Sequence, residues 1–397
     1  MSKMLHVAII SHMYPHPANP MSGLFVHQQV RALQDRGVKC SVFVPTPSFP
    51  FYPKWKKYRQ EEKKTVMDGV FVQYVPTRMF PAGLGFSFYS QYYLQSLQAV
   101  ITAFHRTHPI DLIHCHTLFP DGHVGASLRQ KLRVPVVSTV HGSDILVYPE
   151  KNRCVARHVE ETLATNDAII AVSDGLAEAV RRVDKDVMVH TIYNGFDAER
   201  FYPREGREMK IRLGLPLEQE VILFVGNLYS VKGLEYLIRA MRQVYRERPQ
   251  ASLWIVGEGP LRKRLQAQVE ALTMTHAISF VGRRPHEEIA TWMNASHLIC
   301  LPSLHEGLGG VLLEAMGCAI PVVATRVGGI PEIVREGETG MLVAAQDEQA
   351  LAGKVVEMLR LSGEDKCAYA QRAYRFSQSF RWEKSASQLI ALYEKLT

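Results

Sequence analysis

The chain has 397 residues, 47% hydrophobic and 21% charged, an ordinary globular balance that excludes a disordered, collagenous or coiled-coil protein. Its length predicts two or three domains, and two of roughly 200 residues could each bury a full core. The net charge of +7 is mild: it suits an anionic substrate or membrane surface and does not by itself argue for nucleic acid.

Short apolar, β-branched runs alternate with longer amphipathic stretches along the chain. The first half carries runs at His6–Ile10, Cys40–Val44, Val70–Val75, Leu112–Cys115, Val134–Val140, Ala168–Val172 and Met188–Ile192. The second carries Val221–Val225, Leu253–Val256, Ile278–Val281, Leu298–Leu301, Val322–Ala324 and Met341–Val343. Continuous runs of this kind predict strands buried on both faces of a parallel sheet. Between them, Leu234, Leu237, Ile238 and Met241 show helical spacing, and Trp382, Ala386, Leu389, Ile390 and Tyr393 predict a last amphipathic helix. The polar stretch between Asn194 and Glu220 separates two doubly wound α/β units. No apolar run approaches the about 18 residues of a membrane span, and Met1–Ser11 reads as a strand rather than an export signal. Cys40, Cys115, Cys154, Cys300, Cys318 and Cys367 show no C-x-x-C spacing; they are expected to be reduced and buried in a cytoplasmic protein, with no zinc site.

In open α/β sheets a ligand lies outside the carboxyl ends of the strands. The loops there carry Pro20–Gly23, His116-Thr117, His141-Gly142-Ser143-Asp144 and Ser173-Asp174-Gly175 in the first half. In the second they carry Gly226–Gly233 with Lys232, Gly257–Pro260, Gly282-Arg283, Ser303–Gly310 with Glu306, and Thr325–Gly329. Two such edges facing each other would make a cleft suited to a ligand. Lys232, at a helix start, suits an anion. The chain has no P-loop, and no G-x-G-x-x-G follows the first strand, which disfavours nicotinamide and flavin cofactors.

Glu306 and Glu314 would stand about 12 Å apart along a single helix. Hydrolytic carboxyl pairs need about 5 to 9.5 Å, so the two are expected to touch different parts of one extended ligand. Amides near Gly309, Gly310 and Val311 would meet an anion. Taken alone, Glu314 reads as a surface glutamate. His114 and His116 at a strand end are expected on opposite faces, one buried and one open to the ligand; a shared metal is not expected. His12 and His16, in a Pro-bearing loop, are read as structural, and Asp184-Lys185-Asp186 as a solvated turn. In Phe49–Arg59, aromatics interleave with Lys54, Lys56, Lys57 and Arg59; this suits an anionic membrane interface, less so single-stranded nucleic acid, or a plain surface loop.

These residues and their order resemble a known family. The second half reads Phe224-Val-Gly-Asn-Leu, Lys232-Gly233, Val256-Gly-Glu-Gly-Pro260, Leu301-Pro-Ser303, Glu306-x7-Glu314, Pro321-Val-Val-Ala-Thr325 and Gly328-Gly-Ile-Pro-Glu332. The first adds Ser22-Gly-Leu-Phe, His114-Cys-His116, His141-Gly-Ser-Asp144 and Asn194-Gly-Phe-Asp197. The whole resembles GT-B glycosyltransferases of the family 4 type, which are retaining and use nucleotide sugars. The resemblance implies two Rossmann-like α/β domains facing across a cleft: an acceptor-side domain at 1–195, a donor-binding domain at 196–375, and a terminal helix at 376–397 crossing back to the first.

It further implies that Lys232 neutralises the donor diphosphate, Glu306 holds hydroxyls of the transferred sugar and Glu314 binds the ribose. Gly23 would let backbone approach the diphosphate, its lack of a side chain being the reason for glycine there. His116 would face the transferred sugar, Gly282 and Arg283 the base, and His141, Gly142 and Asn227 would join the substrate site. Asn227 stands where the family commonly has Arg, Leu308 where it has Phe, and Ala319 where it has Gly, a change expected to shift the helix–strand turn slightly. No metal or other cofactor is expected. The expected acceptor is a glycan or lipid-linked glycan of surface polysaccharide or glycolipid biosynthesis, reached from the inner membrane face. A nucleotide-sugar epimerase of the same fold, or a non-catalytic nucleotide-sugar binder, are the rival readings; a glycogen or starch synthase is disfavoured because no lysine flanks Gly23.

Overall fold

The computed structural model describes residues 4–49, 52–59 and 63–397. The chain divides into two compact units, one comprising residues up to Asn194 with Trp382–Thr397, the other Gly195–Arg381. In the first unit the strands are β1 (His6–Ile10), β2 (Lys39–Ser48), β3 (Lys64–Met67), β4 (Val70–Arg78), β5 (Leu112–His116), β6 (Val136–Val140), β7 (Ala168–Ala171) and β8 (Val189–Thr191). They form one sheet in the order β3-β4-β2-β1-β5-β6-β7-β8. β1 pairs in parallel with both β2 and β5, so the direction of winding reverses between β1 and β5.

The apolar runs become strands for the expected reason. β1, β5, β6 and β7 are buried along their full length, with helices covering both faces of the sheet. Only β3 escapes the sequence pattern. It is short and exposed at alternate positions, and it pairs antiparallel with β4 through the two-residue turn Asp68-Gly69. Both turn residues have positive φ, 48° and 80°, the conformation that makes Asp-Gly a hairpin signal. β2 runs past Val44 to Ser48 despite Pro45 and Pro47. Phe43 turns its carbonyl toward the β1 side, where it meets the Ser11 amide at 3.3 Å. Residues 45 and 47 face the same side beyond the last β1 pairing, so their missing N–H groups break no ladder.

The terminal helix Trp382–Leu396 buries Trp382, Ala386, Leu389 and Tyr393 in the core of the first unit. The Trp382 indole donates to Gln28 at 3.2 Å, and the Tyr393 hydroxyl meets His114 Nδ1 at 2.6 Å. This is the expected return of the last helix.

The second unit is a parallel sheet of β9 (Glu220–Val225), β10 (Ala251–Val256), β11 (Ile278–Gly282), β12 (Leu298–Leu301), β13 (Val322–Thr325) and β14 (Met341–Val343), in the order β11-β10-β9-β12-β13-β14. Winding reverses between β9 and β12. Helix Leu234–Glu247 buries Leu234, Leu237, Ile238 and Met241, as their spacing requires.

At the helix–strand turn Ala319 takes the left-handed conformation, at φ 56°, and donates to the Met316 carbonyl at 2.9 Å. A side chain is strained there, so Ala319→Gly should stabilise the second unit by about 1 kcal/mol. Calorimetry should show a rise in Tm of about 2–4 °C.

Four cysteines are buried, and burial pushes the Cys40 and Cys318 thiols up to about 12. Cys154 and Cys367 depart from expectation and are exposed on helices. In the 49–59 stretch, Pro50, Phe51 and the side chains of Lys54 and Arg59 lie outside the described residues. The described aromatics point inward: Trp55 packs against the apolar cluster of the first unit, and Tyr58 meets the His16 ring at 4.7 Å. Lys56 and Lys57 are exposed, and Lys57 Nζ donates to the Ala18 carbonyl at 2.8 Å. No helix among the described residues is long and apolar enough to cross a membrane.

Candidate active site

Each unit places its chemistry where its sheet changes winding direction, the position at which open α/β sheets leave a crevice. In the second unit the loops after β9 and β12 meet there. Lys232 follows β9 in a short helical turn, and Glu306 follows β12. Lys232 Nζ lies 2.5 Å from Glu306 Oε1, and the Ser303 hydroxyl donates to the same oxygen at 2.8 Å. Both bonds fall on Oε1. The carboxylate is 11% exposed and the lysine 24%, so the pair is sheltered yet open at one side.

The loop holding Glu306 is fixed by a close backbone approach. Gly328, at φ 51°, lies so near that a Cβ there would come within 1.8 Å of the Glu306 carbonyl oxygen. Any side chain at 328 would displace the loop. Gly309 precedes helix Gly310–Gly317, whose N-terminus has no side-chain cap. Its free amides, at Gly310 and Val311, carry the positive end of the helix dipole.

Glu314 lies inside that helix and is not a loose surface glutamate. His286 Nε2 meets its Oε1 at 3.1 Å, and Arg200 Nη1 meets His286 Nδ1 at 2.7 Å. Arginine can only donate, so His286 accepts at Nδ1 and donates its Nε2–H to Glu314. This relay aims the carboxylate, and the sequence reading missed both of its members. Gly282 ends β11 and is buried; Arg283 beside it is exposed, as is Asn227 after β9. Arg326, just after β13, lies 3.7 Å from Glu336 on an exposed surface.

In the first unit the loops after β1 and β5 meet in the same way. His12 Nδ1 lies 2.7 Å from Asp121 Oδ2, and its backbone amide donates to that oxygen at 3.2 Å. Asp121 is fully buried, and its Oδ1 has no hydrogen-bond partner among the described residues. Burial opposes charge on His12, but the Asp121 carboxylate overrides it and raises its pKa. His12, read as structural, thus ties the loop after β1 to the loop after β5 through Asp121.

A group whose pKa is raised on folding adds stability that is complete below its unfolded value. That stability is lost as pH rises through the folded value. The His12–Asp121 pair should thus contribute less stability as pH rises above about 6.5. Asp121→Asn should flatten that dependence, which urea midpoints measured across the pH series would show.

His114 and His116 share a face, contrary to the expected opposition, because residues two apart on a strand point the same way. Their rings stack at 4.5 Å, and His141 stacks on His116 at 5.4 Å. Neither ring of the pair is open: both are fully buried, and His141 is the half-buried member of the column. Burial, with help from His141, lowers His114 to about 3, and burial with the neighbouring rings takes His116 well below its ordinary value. His116 is thus neutral. Its Nδ1 bonds His141 Nε2 at 3.2 Å, while its Nε2 is buried with no partner among the described residues.

Asp144 holds the same loops. Its carboxylate accepts from the amides of Leu118 at 3.0 Å, His141 at 3.1 Å and Gly142 at 2.9 Å. Gly23 starts the helix after β1 at φ 57°, where a Cβ would come within 2.1 Å of the Met13 carbonyl oxygen. The fold itself therefore requires glycine, so the missing side chain is not a sign of ligand approach.

The family models of "Glycosyl transferases group 1" and "Glycosyltransferase Family 4" match residues 206–376 and 22–200. An uncharacterized glycosyltransferase of Methanocaldococcus jannaschii is 34% identical over 72% of this chain and 76% of its own. A Bacillus subtilis protein, TuaC, whose name assigns it glycosyl transfer in teichuronic acid biosynthesis, is 30% identical over 86% of both chains. The structure of sucrose-phosphate synthase from Thermosynechococcus elongatus superposes with a TM-score of 0.85 at 25% identity, covering 99% of each chain. With both halves matched in order and winding alike, the chain belongs to the family 4-type glycosyltransferases of the GT-B fold.

Proposed function

We propose that this glycosyltransferase takes its sugar from a nucleoside-diphosphate sugar and transfers it with retention of anomeric configuration. The acceptor is a glycan or lipid-linked glycan of surface polysaccharide or glycolipid biosynthesis. The observation that carries the reading is the Lys232–Glu306 pair across the β9/β12 switch point, beside the uncapped helix at Gly310.

The hard step is departure of the nucleoside diphosphate from the anomeric carbon. Negative charge grows on the leaving phosphate. Lys232 and the amides of Gly310 and Val311 are fixed in place beforehand, so they stabilise that charge most in the transition state. Glu306 exchanges its bond to Lys232 for hydroxyls of the sugar as the diphosphate takes the ammonium. Glu314, aimed by His286, receives the ribose hydroxyls, and Gly282 and Arg283 border the base. With a lysine and a helix N-terminus serving the diphosphate, the transfer does not call for a metal.

On the acceptor side, buried His116 orients His141 through their ring bond, and His141, the half-buried member of the column, is the one a substrate hydroxyl can reach. Retention follows from attack on the face the diphosphate leaves, with the departing oxygen taking the acceptor proton. Lys56 and Lys57 give the first unit a basic spot for an anionic membrane surface.

Incubating the protein with a panel of nucleotide sugars, with and without a membrane lipid extract, tests this reading. Nucleoside diphosphate release that requires extract, with a product of retained configuration, is the expected result. Conversion of donor without extract would instead mark an epimerase, and donor binding without turnover a non-catalytic binder. Glu314→Gln should raise the KM for donor about tenfold or more with a smaller change in kcat, since ribose contact is made in ground and transition state alike.

A further inference from the structure

We propose that the first unit carries a divalent transition-metal site of the zinc class, formed by His123, His158 and Glu161, none of which has a role assigned in glycosyl transfer. His123 opens helix His123–Leu132; His158 and Glu161 lie three apart on helix Arg153–Thr165 and so share one face. His123 Nε2 and His158 Nδ1 each lie 3.2 Å from the same atom, Glu161 Oε2. The three donor atoms all lie within 4.8 Å of one another. Tetrahedral zinc holds nitrogen and oxygen ligands at about 2.0–2.2 Å, which sets neighbouring ligand atoms about 3.3 Å apart. The observed spacing therefore needs little adjustment to admit an ion.

The surroundings are those of a held ligand set. Phe119 lies flat on His158, ring centres 5.5 Å apart and planes at 3°. Cys154 Sγ stands 3.6 Å from His158 Nε2, on the side away from the proposed ion. A metal-bound histidine commonly has its second nitrogen oriented by a carboxylate, carbonyl or water, and here the thiol stands in that place. Arg157 engages the other oxygen of Glu161, Oε1, at 3.0 Å, which leaves Oε2 for the ion. His123 and His158 are mostly sheltered, at 20% and 13% exposure, while Glu161 at 43% leaves an entry path and a fourth position for water. Two imidazoles and one carboxylate favour zinc, or nickel and copper, over magnesium or calcium.

The ion would clamp the two helices that flank the turn at residues 118–122. Thr162 Oγ1 already reaches the Leu118 carbonyl at 3.3 Å, and the turn carries Asp121, the partner of His12. Occupancy would stiffen the segment that holds that pair.

Zinc chloride titrated into the untagged, chelator-stripped full chain by calorimetry tests the site. The expected result is one saturable equivalent and a rise in Tm, with no response to magnesium chloride. His158→Ala and Glu161→Gln should each weaken that zinc affinity by about 100-fold and abolish the Tm rise. Glu161→Gln, at an exposed helix position, keeps the variant folded, and circular dichroism verifies this. Absence of saturable zinc binding to the wild-type chain would overturn the proposal, as would unchanged affinity in both folded variants. A titration with cobalt chloride should give visible absorption that disappears in His158→Ala; retention of that band would count equally against the site.

Discussion

Lys232→Ala is expected to lower kcat by about 10²–10³-fold while changing the KM for donor far less. The size follows from what the lysine does. A preorganised positive group beside a developing negative charge contributes most in the transition state, and removing one such group from comparable sites costs this much. Removing Lys232 also leaves Glu306, only 11% exposed, with Ser303 as its remaining partner at Oε1. Glu306→Gln with Lys232 intact therefore separates loss of the phosphate cation from loss of the sugar-binding carboxylate. Rapid-quench single-turnover measurements on both variants would make the distinction. If Lys232→Ala stayed within about twofold of wild type, the role assigned to this lysine would be wrong.

Asp144→Ala should destabilise the first unit by about 3–5 kcal/mol, because it removes the acceptor of three loop amides and unpaired buried donors are costly. Asp144→Asn should cost about 1–2 kcal/mol. One amide oxygen can still serve His141 and Gly142, but the amide nitrogen would face the Leu118 N–H, donor against donor. The same carboxylate sets the loop of His141, so activity should fall in the same order. Urea denaturation of the two variants checks the ranking. Equal stability of Asp144→Ala and wild type would show that Asp144 does not organise these loops.

The sheets were legible because their physics is local. A strand covered on both faces must be apolar throughout, and β1, β5, β9 and β12 advertise this in four to six residues each. β3 was not legible by that rule, since an edge strand with one solvent face has no such run, although Asp68-Gly69 marks its turn. Lys232, Glu306 and Glu314 were visible through motif order and through the carboxyl-end rule. His286 was not: it contacts Glu314 across 28 positions of sequence, and a histidine opening a helix carries no mark of the contact. His12 and Asp121 were hidden for a related reason. Their pairing depends on β1 lying beside β5, a fact of strand order that the apolar pattern does not encode. The histidine pair at 114 and 116 was readable and was misread; strand alternation places both on one face, and their stacking follows from it.

The central claim is that the second unit grips a diphosphate at the crevice between β9 and β12. A crystal structure of the chain soaked with UDP-glucose and, separately, GDP-mannose tests it most directly. One of them should bind with its β-phosphate in hydrogen-bond reach of Lys232 Nζ and the Gly310 amide, and with Glu314 on the ribose. A diphosphate seated elsewhere, with the Lys232–Glu306 pair still closed, would contradict it.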